Sequence, residues 1–304
     1  MELLVVGSIA LDTIETPFSR VDETPGGSAL YISISASYFT RSIGLVGVVG
    51  DDFPEDVISE LQSRGVNLKG LQIIPNGKTF RWAGKYHYDM NTRETIYTQL
   101  NVFADFNPVI PDEFKSSEIV CLGNIDPVLQ MRVLDQVYNP KLVIADTMNF
   151  WIERKYDELL ETLKRVNVLI VNDAEARQIA REPNLIKAGK KILNLGPEIV
   201  IIKKGEHGAV LMIDSIIFSA PAYPIEAIQD PTGAGDTFAG GFAGWLAKTK
   251  DFSEKNLRRA VIYGSAIASF CVEDFGINRI KNLSWNEIQN RFFAFKELTK
   301  FEVD

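Results

Sequence analysis

The chain has 304 residues, of which 46% are hydrophobic and 24% are charged, as is ordinary for a soluble globular protein. Its 40 Asp and Glu residues outnumber its 32 Lys and Arg residues, which leaves a formal net charge of −8. This acidic balance argues against nucleic acid or an anionic membrane as a partner, because both attract basic surfaces. No apolar run reaches the roughly 18 residues of a membrane helix, and residues 1–15 suit a buried first strand better than a signal peptide.

Cysteine and histidine are scarce. The two cysteines, Cys121 and Cys271, lie in apolar stretches, and the two histidines are His87 and His207. Buried, reduced thiols in a cytoplasmic protein are the favoured interpretation, with a disulfide or a reactive thiol as the alternatives. The spacing fits no structural zinc site, and a His-dependent catalytic triad has little support.

Short apolar runs alternate with amphipathic stretches from the N-terminus onward. The runs rich in Val, Ile and Leu are 2–8, 44–50, 118–124, 141–147, 166–173 and 198–205. The helical patterns span about 54–64, 126–138, 152–165, 173–181, 234–248, 253–272 and 284–299. Strands that are apolar on both faces are typical of a parallel sheet covered by helices. The alternation therefore predicts an α/β fold with right-handed crossovers and a doubly wound sheet.

Two segments interrupt this alternation. Residues 78–100 are dense in Thr, Tyr, Phe and Trp, with a turn signal at 89–91. This pattern predicts a β-hairpin with one solvated face. Residues 12–25 are too polar and too interrupted by proline for the central sheet. Together the two segments predict a small β-subdomain that covers a site.

The most informative segment is 228–247, with the sequence IQDPTGAGDTFAGGFAGWLA. Gly233, Ala234 and Gly235 are small enough to let backbone N–H groups approach a ligand closely. If a helix begins near Ala234, those N–H groups form an anion site, and Asp236 lies in the first turn. The alternative is an ordinary loop before a helix that starts with an acidic residue. The glycine pair at 240–241 favours the anion site, because it costs helix stability unless close packing or a ligand requires it.

Five segments, in order along the chain, resemble the signatures of one enzyme family. DPTGAGDTFAGGF resembles the C-terminal signature of the PfkB (ribokinase-like) carbohydrate and nucleoside kinases, and residues 26–66 resemble their first signature region. The other matches are an N-x-x-E motif at Asn172 and Glu175, a nucleotide-contact strand and turn at 201–211, and an adenine-side helix and loop at 265–277. The resemblance covers most of the chain. It implies a Rossmann-type three-layer α/β core with a small β-sheet lid.

The resemblance further implies transfer of a phosphoryl group from ATP, with Mg²⁺ as cofactor. It casts Asp236 as the base near the acceptor hydroxyl, and the backbone N–H groups of Gly233, Ala234, Gly235 and Asp236 as the anion hole for the γ-phosphoryl group. The carboxylate need not be a strong base, because phosphoryl transfer is loose and the hydroxyl can lose its proton late.

The same resemblance places the nucleotide and its metal. The residues it assigns to nucleotide contacts are Asn172, Lys203, Gly205, Gly208 and Gly276. Asn172 and Glu175 would take part in a network of Mg²⁺, water and phosphate, and Mg²⁺ usually keeps several waters. The alternative for these two residues is a helix N-cap with its capping-box partner.

A monovalent cation is a further implication of the resemblance. Asp230 and Thr232 match positions whose oxygens often hold such an ion in the family, with the segment 275–277 on the other side. The family commonly has Gly-Ala where this chain has Gly276–Ile277. With this departure, the sequence decides neither for nor against K⁺.

The acceptor site is expected at the end of the first strand. Asp12 resembles the family's acceptor-binding aspartate, and a carboxylate can accept hydrogen bonds from two vicinal hydroxyls; a simple turn residue is the alternative. Gly26 and Gly27 would let the chain pass close to the acceptor, and Ser28 would either contact it or cap a helix. Many sugar-specific relatives read GGKGAN here, whereas this chain reads GGSALY, so that Tyr31 or a neighbour replaces the sugar-binding Asn. This departure argues against ribose or fructose as the acceptor.

These inferences predict a single kinase domain over 1–304. Its core would comprise 1–11, 26–72 and 107–304, and its lid about 12–25 and 73–106. The expected activity is ATP-dependent phosphorylation of a hydroxyl on a small sugar or polyol, with a nucleoside kinase as the alternative and a non-catalytic binding regulator as a third. Base stacking by Phe80 or Trp82 would favour the nucleoside. The dense aromatics of 80–88 predict a homodimer through the lid, against an alternative in which they fold onto their own core.

Overall fold

Nine strands form a large central sheet in the computed structural model, which describes residues 1–302. They are β1 (Leu3–Val6), β4 (Ile43–Gly50), β5 (Val66–Ile74), β8 (Ile119–Leu122), β9 (Leu142–Asp146), β10 (Val168–Asn172), β11 (Ile199–Lys203), β12 (Ala209–Ile213) and β13 (Ile216–Ala220). Their spatial order is β13-β12-β11-β10-β9-β8-β1-β4-β5. All neighbours are parallel except β11–β12 and β12–β13, which are antiparallel. The order doubles back at β1, as the predicted doubly wound sheet requires.

Helices cover both faces of this sheet. They are α1 (Ser28–Ala36), α2 (Glu55–Ser63), α3 (Pro127–Leu134), α4 (Asn149–Arg154), α5 (Tyr156–Leu163), α6 (Asp173–Ala180), α7 (Leu185–Leu193), α8 (Ala234–Thr249), α9 (Glu254–Cys271) and α10 (Trp285–Leu298). In β1, Leu3 and Val5 belong to one hydrophobic cluster, and Leu4 and Val6 belong to the other. All four side chains are buried. The three-layer α/β prediction is therefore confirmed, and the physical reason is that this strand is apolar on both faces.

The predicted elements differ from the observed ones in two ways. The helix expected over 152–165 is two helices, because Lys155 has φ −140° and ψ 45° and its ammonium group pairs with Asp126 at 2.6 Å. The sequence patterns also missed β5, β12, β13 and α7. Strands β5 and β13 lie at the two edges of the sheet, and most of their residues are exposed or only partly buried, so they lack the continuous buried run of the central strands.

A second sheet of four strands confirms the expected small sheet. Its strands are β2 (Ala10–Glu15), β3 (Arg20–Gly26), β6 (Phe80–Tyr86) and β7 (Arg93–Gln99), in the order β3-β2-β6-β7. Strands β6 and β7 form the predicted antiparallel hairpin, and Asp89 accepts three hydrogen bonds from Asn91 and Thr92 in its turn. The small sheet takes in residues 10, 11 and 26, and β5 extends the large sheet to residue 74. The small sheet thus extends one or two residues into the expected core, and the large sheet extends two residues into the expected lid.

Helices α1 and α8 pack side by side and run in the same direction, so their N-termini lie at the same end of the pair. A Cβ atom on Gly240 would lie 2.4 Å from the carbonyl oxygen of Ile32, and one on Gly244 would lie 2.7 Å from the Cα of Ala36. The Ser35 hydroxyl donates to the carbonyl oxygen of Thr237 at 2.7 Å. Gly240 therefore serves close helix packing, one of the two reasons that the sequence offered for it.

Two further expectations concern the chain as a whole. Cys121 and Cys271 are buried and unpaired, as predicted for structural thiols. None of the helices within residues 1–302 combines the length and the apolar character needed to cross a bilayer.

Candidate active site

Three charged or polar residues end neighbouring parallel strands. Asp146 ends β9, Asn172 ends β10 and Lys203 ends β11. The carboxyl ends of parallel strands meet at one edge of the sheet, where open α/β folds bind ligands. The Lys203 ammonium group lies 3.4 Å from the Asp146 carboxylate, and both side chains are largely buried. The sequence patterns missed Asp146; its place at the end of an apolar run was the signal that could have identified it.

The anion turn, residues 232–236, faces this pair. Gly233 adopts φ +75°, a left-handed conformation that favours glycine, and α8 begins at the next residue. A Cβ atom on Gly235 would lie 2.7 Å from the Lys203 Nζ atom, so the ammonium group contacts the turn. Within residues 1–302, the N–H groups of Gly235 and Asp236 have no acceptor, whereas that of Ala234 donates to the Pro231 carbonyl at 3.3 Å. The turn thus offers free N–H groups and a cation to an anion.

Asp236 lies in the first turn of α8, within this charged cluster. Burial raises its pKa to about 7, and the nearby Asp146 adds to the rise. Lys203 and Arg93 act in the opposite direction. A carboxyl group with a pKa near neutrality can accept a proton in one step and release it in the next.

Asn172 and Glu175 form a capping box at the start of α6. The Asn172 side chain accepts from the Glu175 N–H at 2.8 Å, and the Glu175 carboxylate accepts from the Asn172 N–H at 2.8 Å. The helix N-cap with its capping-box partner, which the sequence offered as the alternative for these two residues, is thus present. Burial, with a contribution from Asp146, also raises the pKa of Glu175 to about 7.

This arrangement leaves room for a metal bound through water. No group of three or more His, Cys, Asp or Glu side chains within residues 1–302 could hold a metal directly. Only one Glu175 oxygen takes part in the capping box, so the other is free for water. Buried carboxyl groups that hold their protons near pH 7 fit a divalent cation, since the cation would supply the missing positive charge.

Asp12 lies on β2, on the side of the cluster where the acceptor is expected. Burial raises its pKa to about 8, and the negative charges of Asp230 and Asp236 contribute. A Cβ atom on Gly26 would lie 2.0 Å from an Asp12 oxygen, and one on Gly27 would lie within 2.8 Å of the backbone of residues 8–10. Both glycines therefore make room for Asp12 and for the β1–β2 connection. The sequence had assigned them to close passage beside the acceptor.

The next two expected acceptor residues are engaged inside the protein. Ser28 exchanges hydrogen bonds with Ser8, since each hydroxyl accepts from the other residue's N–H at 3.1 to 3.2 Å. Ser28 provides no side-chain cap to α1. Tyr31 is buried beneath the anion turn, where a Cβ atom on Gly233 would lie 2.3 Å from its ring. Tyr31 thus forms the floor of the site.

Asp230 lies below the same turn, of which Thr232 is the first residue. The Asp230 carboxylate is fully buried and accepts from the N–H groups of Thr232 at 2.8 Å and Gly276 at 3.1 Å. Burial raises its pKa to about 6. Gly276 is itself buried, and a Cβ atom there would lie 2.5 Å from Thr24 of β3. The geometry therefore places Gly276 beside Asp230 and against β3.

Gly205 and Gly208 form the turn after β11. Both have positive φ, and the Lys204 N–H donates to the Gly208 carbonyl at 2.7 Å. The tip of the β6–β7 hairpin reaches this turn, because a Cβ atom on Gly205 would lie 2.7 Å from the Asn91 Oδ1 atom. The small sheet thus spans the site from the expected acceptor side to the expected nucleotide side.

The small sheet also brings Trp82, Tyr86 and Arg93 to the site; of these, the sequence had named only Trp82, as a residue that could stack on a base. Trp82 is the register partner of Asp12, so the two residues share one face of the sheet. The Tyr86 hydroxyl lies 3.1 Å from the Thr232 hydroxyl. Arg93, the register partner of Tyr86, is near enough to lower the pKa of Asp12, Glu175 and Asp236. Only cross-strand register could have identified Tyr86 and Arg93 as neighbours of the site.

Carboxylates, a buried lysine and a helix N-terminus at the carboxyl end of a doubly wound sheet are groups that suit the binding and transfer of a phosphoryl group. A sequence model of the pfkB family of carbohydrate kinases matches residues 2–282, and the chain belongs to this family. It is accordingly a kinase.

Individual relatives include both nucleoside and sugar kinases. Cytidine kinase from Thermococcus kodakarensis is 30% identical over 84% of this chain and 91% of its own length. The crystal structure of Methanocaldococcus jannaschii nucleoside kinase superposes with a TM-score of 0.76 at 23% identity, covering 97% of this chain and 99% of that one. Arabidopsis thaliana ribokinase, complexed with ribose and ATP, gives a TM-score of 0.74 at 21% identity, covering 95% and 98%. At such identities the structural likeness shows the fold alone.

Proposed function

We propose that the protein transfers the γ-phosphoryl group of ATP to a hydroxyl of a small polyhydroxylated acceptor, either a sugar or polyol or a nucleoside. The observation that carries this proposal is the convergence of Asp12, Asp236, Lys203 and the anion turn. Asp12 would bind vicinal hydroxyls of the acceptor. Asp236 would take the proton from the attacking hydroxyl, and the N–H groups of the anion turn would donate to the transferred group.

Cations complete the electrostatics of this site. Mg²⁺, held through water by Glu175 and Asn172, would neutralise charge on the phosphates of ATP. Lys203 would contact the transferred group from the strand side, since it already touches Gly235. A monovalent cation beside Asp230 and Thr232 would compensate a fully buried carboxylate.

A coupled ADP-release assay tests the proposal. The purified protein is given Mg²⁺ and ATP with a panel of ribose, fructose, myo-inositol, cytidine and adenosine. We expect acceptor-dependent ADP release with at least one compound. Absence of turnover across a wider panel of the same classes, with folded protein, would count against the kinase assignment.

A nucleoside is the more specific candidate, and the placement of Trp82 favours it. Trp82 lies beside Asp12 on the inner face of the small sheet, where an indole could stack on a base while Asp12 binds the ribose diol. Phe80 is not available for this role, because its ring stacks on Phe103 at 5.4 Å. The similarity to a cytidine kinase points the same way.

Substitution of Trp82 separates the two acceptor classes. For a nucleoside kinase, Trp82→Leu should raise KM for cytidine roughly tenfold, the loss expected from one stacked base. The KM for ATP should stay within about twofold, and the comparable change Phe80→Leu is the control. An equal rise in KM for ribose and cytidine would contradict base stacking.

Association through the small sheet is a further proposal, supported by a surface other than the one the sequence indicated. Of the four aromatics in 80–88, only Tyr88 is strongly exposed, at 82%. Strand β7, however, is an unpaired edge with all seven residues exposed, including Ile96 at 55%. An unpaired edge presents free backbone N–H and C=O groups on which a second chain can pair. Light scattering tests this proposal: a 34.0 kDa species at micromolar concentration would contradict it, and Ile96→Glu should convert a dimer to monomers.

A further inference from the structure

Arg81 forms an ion pair between the small sheet and the core. Its Nη2 atom lies 2.9 Å from the carboxylate of Asp52, in the turn between β4 and α2, and its Nε atom lies 2.7 Å from the carboxylate of Glu23 in β3. The other ion pairs of the small sheet within residues 1–302 have both partners in that sheet or in its hairpin turn. Arg81 is therefore the charged link between the small sheet and the core.

Asp52 also holds the place where the chain enters the small sheet. Thr79, the residue before β6, donates to one Asp52 oxygen from its N–H at 2.8 Å and from its hydroxyl at 2.6 Å. The Thr79 hydroxyl accepts in turn from the Gly50 N–H at 3.0 Å, and Thr79 is fully buried. The second Asp52 oxygen pairs with Arg81. One carboxylate thus fastens both the start of β6 and a side chain within it.

The guanidinium group of Arg81 is fixed in direction as well as in position. Its Nη1 atom donates to the Thr79 carbonyl at 3.1 Å, so all three of its nitrogens are engaged. The Arg81 side chain is 15% exposed, against 56% for Arg20, whose partners lie in its own sheet. An exposed ion pair contributes little to stability. A guanidinium group bound through three nitrogens sets the orientation of the elements that it joins, because its fork is planar and rigid.

The strand register places this link directly behind the expected acceptor site. Trp82 and Thr24 are the register partners of Asp12 on its two sides. Arg81 and Glu23 come one residue earlier in β6 and β3, so their ion pair crosses β2 beside Asp12. Successive residues of a strand point to opposite faces, so this ion pair lies on the face opposite to Trp82. The link therefore supports Asp12 and Trp82 without occupying the space of the acceptor.

The opposite end of β6 is held separately. The hydroxyl of Tyr86, the last residue of β6, lies 3.1 Å from the Thr232 hydroxyl in the anion turn. Loss of Arg81 would leave this end docked and would free the part of the sheet that carries Asp12 and Trp82. The expected ATP contacts at the ends of β10 and β11 belong to the core and would keep their places.

We propose that Arg81 is a positioning residue for the acceptor. By tying β3 and β6 to the core, it holds Asp12 and Trp82 at the distance from the anion turn that a bound acceptor requires. Arg81 contacts neither ATP nor the acceptor and acts through these two residues. The proposal rests on the proposed function, in which Asp12 binds the acceptor hydroxyls.

The kinetic test compares Arg81→Ala with Arg20→Ala, which removes an arginine of the same sheet whose ion pairs do not reach the core. KM is measured separately for ATP and for the acceptor, cytidine or ribose. Arg81→Ala should raise the acceptor KM roughly tenfold, because a displaced Asp12 meets the acceptor hydroxyls poorly, and should leave the KM for ATP within about twofold. Arg81→Lys should recover part of the loss, since an ammonium group can still pair with Asp52. Arg20→Ala should match wild type.

A double-mutant cycle assigns the effect to the link with the core. Asp52→Asn keeps an oxygen for Thr79 but removes the charge that pairs with Arg81, so it should raise the acceptor KM by a similar factor. Because each single variant breaks the same contact, the double variant should be no more than about twofold worse than either single variant. Multiplication of the two single effects would contradict the proposed link.

Two other kinetic results would overturn the proposal. One is an acceptor KM in Arg81→Ala that stays within about twofold of wild type, with or without a lower melting temperature. The other is an equal rise in both KM values, which is the result expected if Arg81 only stabilises the fold.

Hydrogen exchange without ligands separates this proposal from the kinase assignment. The amides of β2 and β6 should exchange roughly tenfold faster in Arg81→Ala than in wild type, while those of β10 and β11 stay unchanged. Unchanged exchange in β2 and β6 contradicts the role of Arg81 whatever the substrate is. Absence of wild-type turnover with every acceptor contradicts the proposed function instead.

Discussion

Replacement of Asp12 by Asn should make the protein more stable and a poorer enzyme. The Asp12 side chain is 5% exposed, and burial together with Asp230 and Asp236 raises its pKa from 3.8 to about 8. At pH 7 the unfolded chain therefore ionises this group, while the folded protein keeps it largely protonated. Folding must therefore protonate Asp12 at a pH about 3 units above the pKa of this group in the unfolded chain. At roughly 1.4 kcal/mol per unit, this protonation costs about 4 kcal/mol. Asn has nearly the same shape and incurs no such cost.

The sign of the pH dependence follows from the raised pKa. Below pH 3.8 both states hold the proton and the cost is absent. It grows as pH rises and becomes constant above about pH 8, where both states are ionised. The advantage of Asp12→Asn over wild type should therefore increase from pH 4 to pH 8 and then level off.

Urea unfolding at pH 4, 7 and 8.5 measures this difference. Asp22→Asn, an exposed change in the same sheet, is the control and should alter stability by less than about 0.5 kcal/mol at any pH. Asp12→Asn should also raise the acceptor KM, because Asn has one acceptor oxygen, whereas a carboxylate has two and can accept from two hydroxyls. A variant that is no more stable than wild type at pH 7, or an advantage independent of pH, would refute the reasoning.

Three other predictions concern the reaction centre. Asp236→Asn should lower kcat by roughly two to four orders of magnitude with little change in ATP binding, and near-wild-type turnover would reject Asp236 as the base. Gly235→Val should damage transfer without unfolding the protein, because its Cβ atom would lie 2.7 Å from the flexible end of Lys203; normal kcat with normal melting would contradict the anion site. Burial of Asp236 raises its pKa to about 7, so kcat/KM should fall about tenfold per unit as pH drops below 7, and a profile flat from pH 5.5 to 8 would argue against that role.

Much of the fold could be predicted from local patterns. Continuous apolar runs mark strands covered on both faces, and β1, β4 and β8 to β11 all carry them. The GAGD turn also carries its own explanation, since Gly233 adopts the positive φ that glycine allows and α8 begins where the sequence suggests. Such features depend on residues a few positions apart, which is why sequence alone suffices for them.

The placement of Asp146, Trp82 and Arg93 needed the tertiary structure. Asp146 contacts Lys203 from 57 positions away, and Arg93 acts on Asp236 only because the hairpin register sets it opposite Tyr86. Tyr31 and Ser28 show the converse: both follow the GG pair where the acceptor was expected, yet one forms the floor under Gly233 and the other pairs with Ser8. Sequence determines which residues can form a strand, a turn or a cap. Which side chains then face one another depends on strand register and helix packing between distant segments, and the chemistry of this site is decided there.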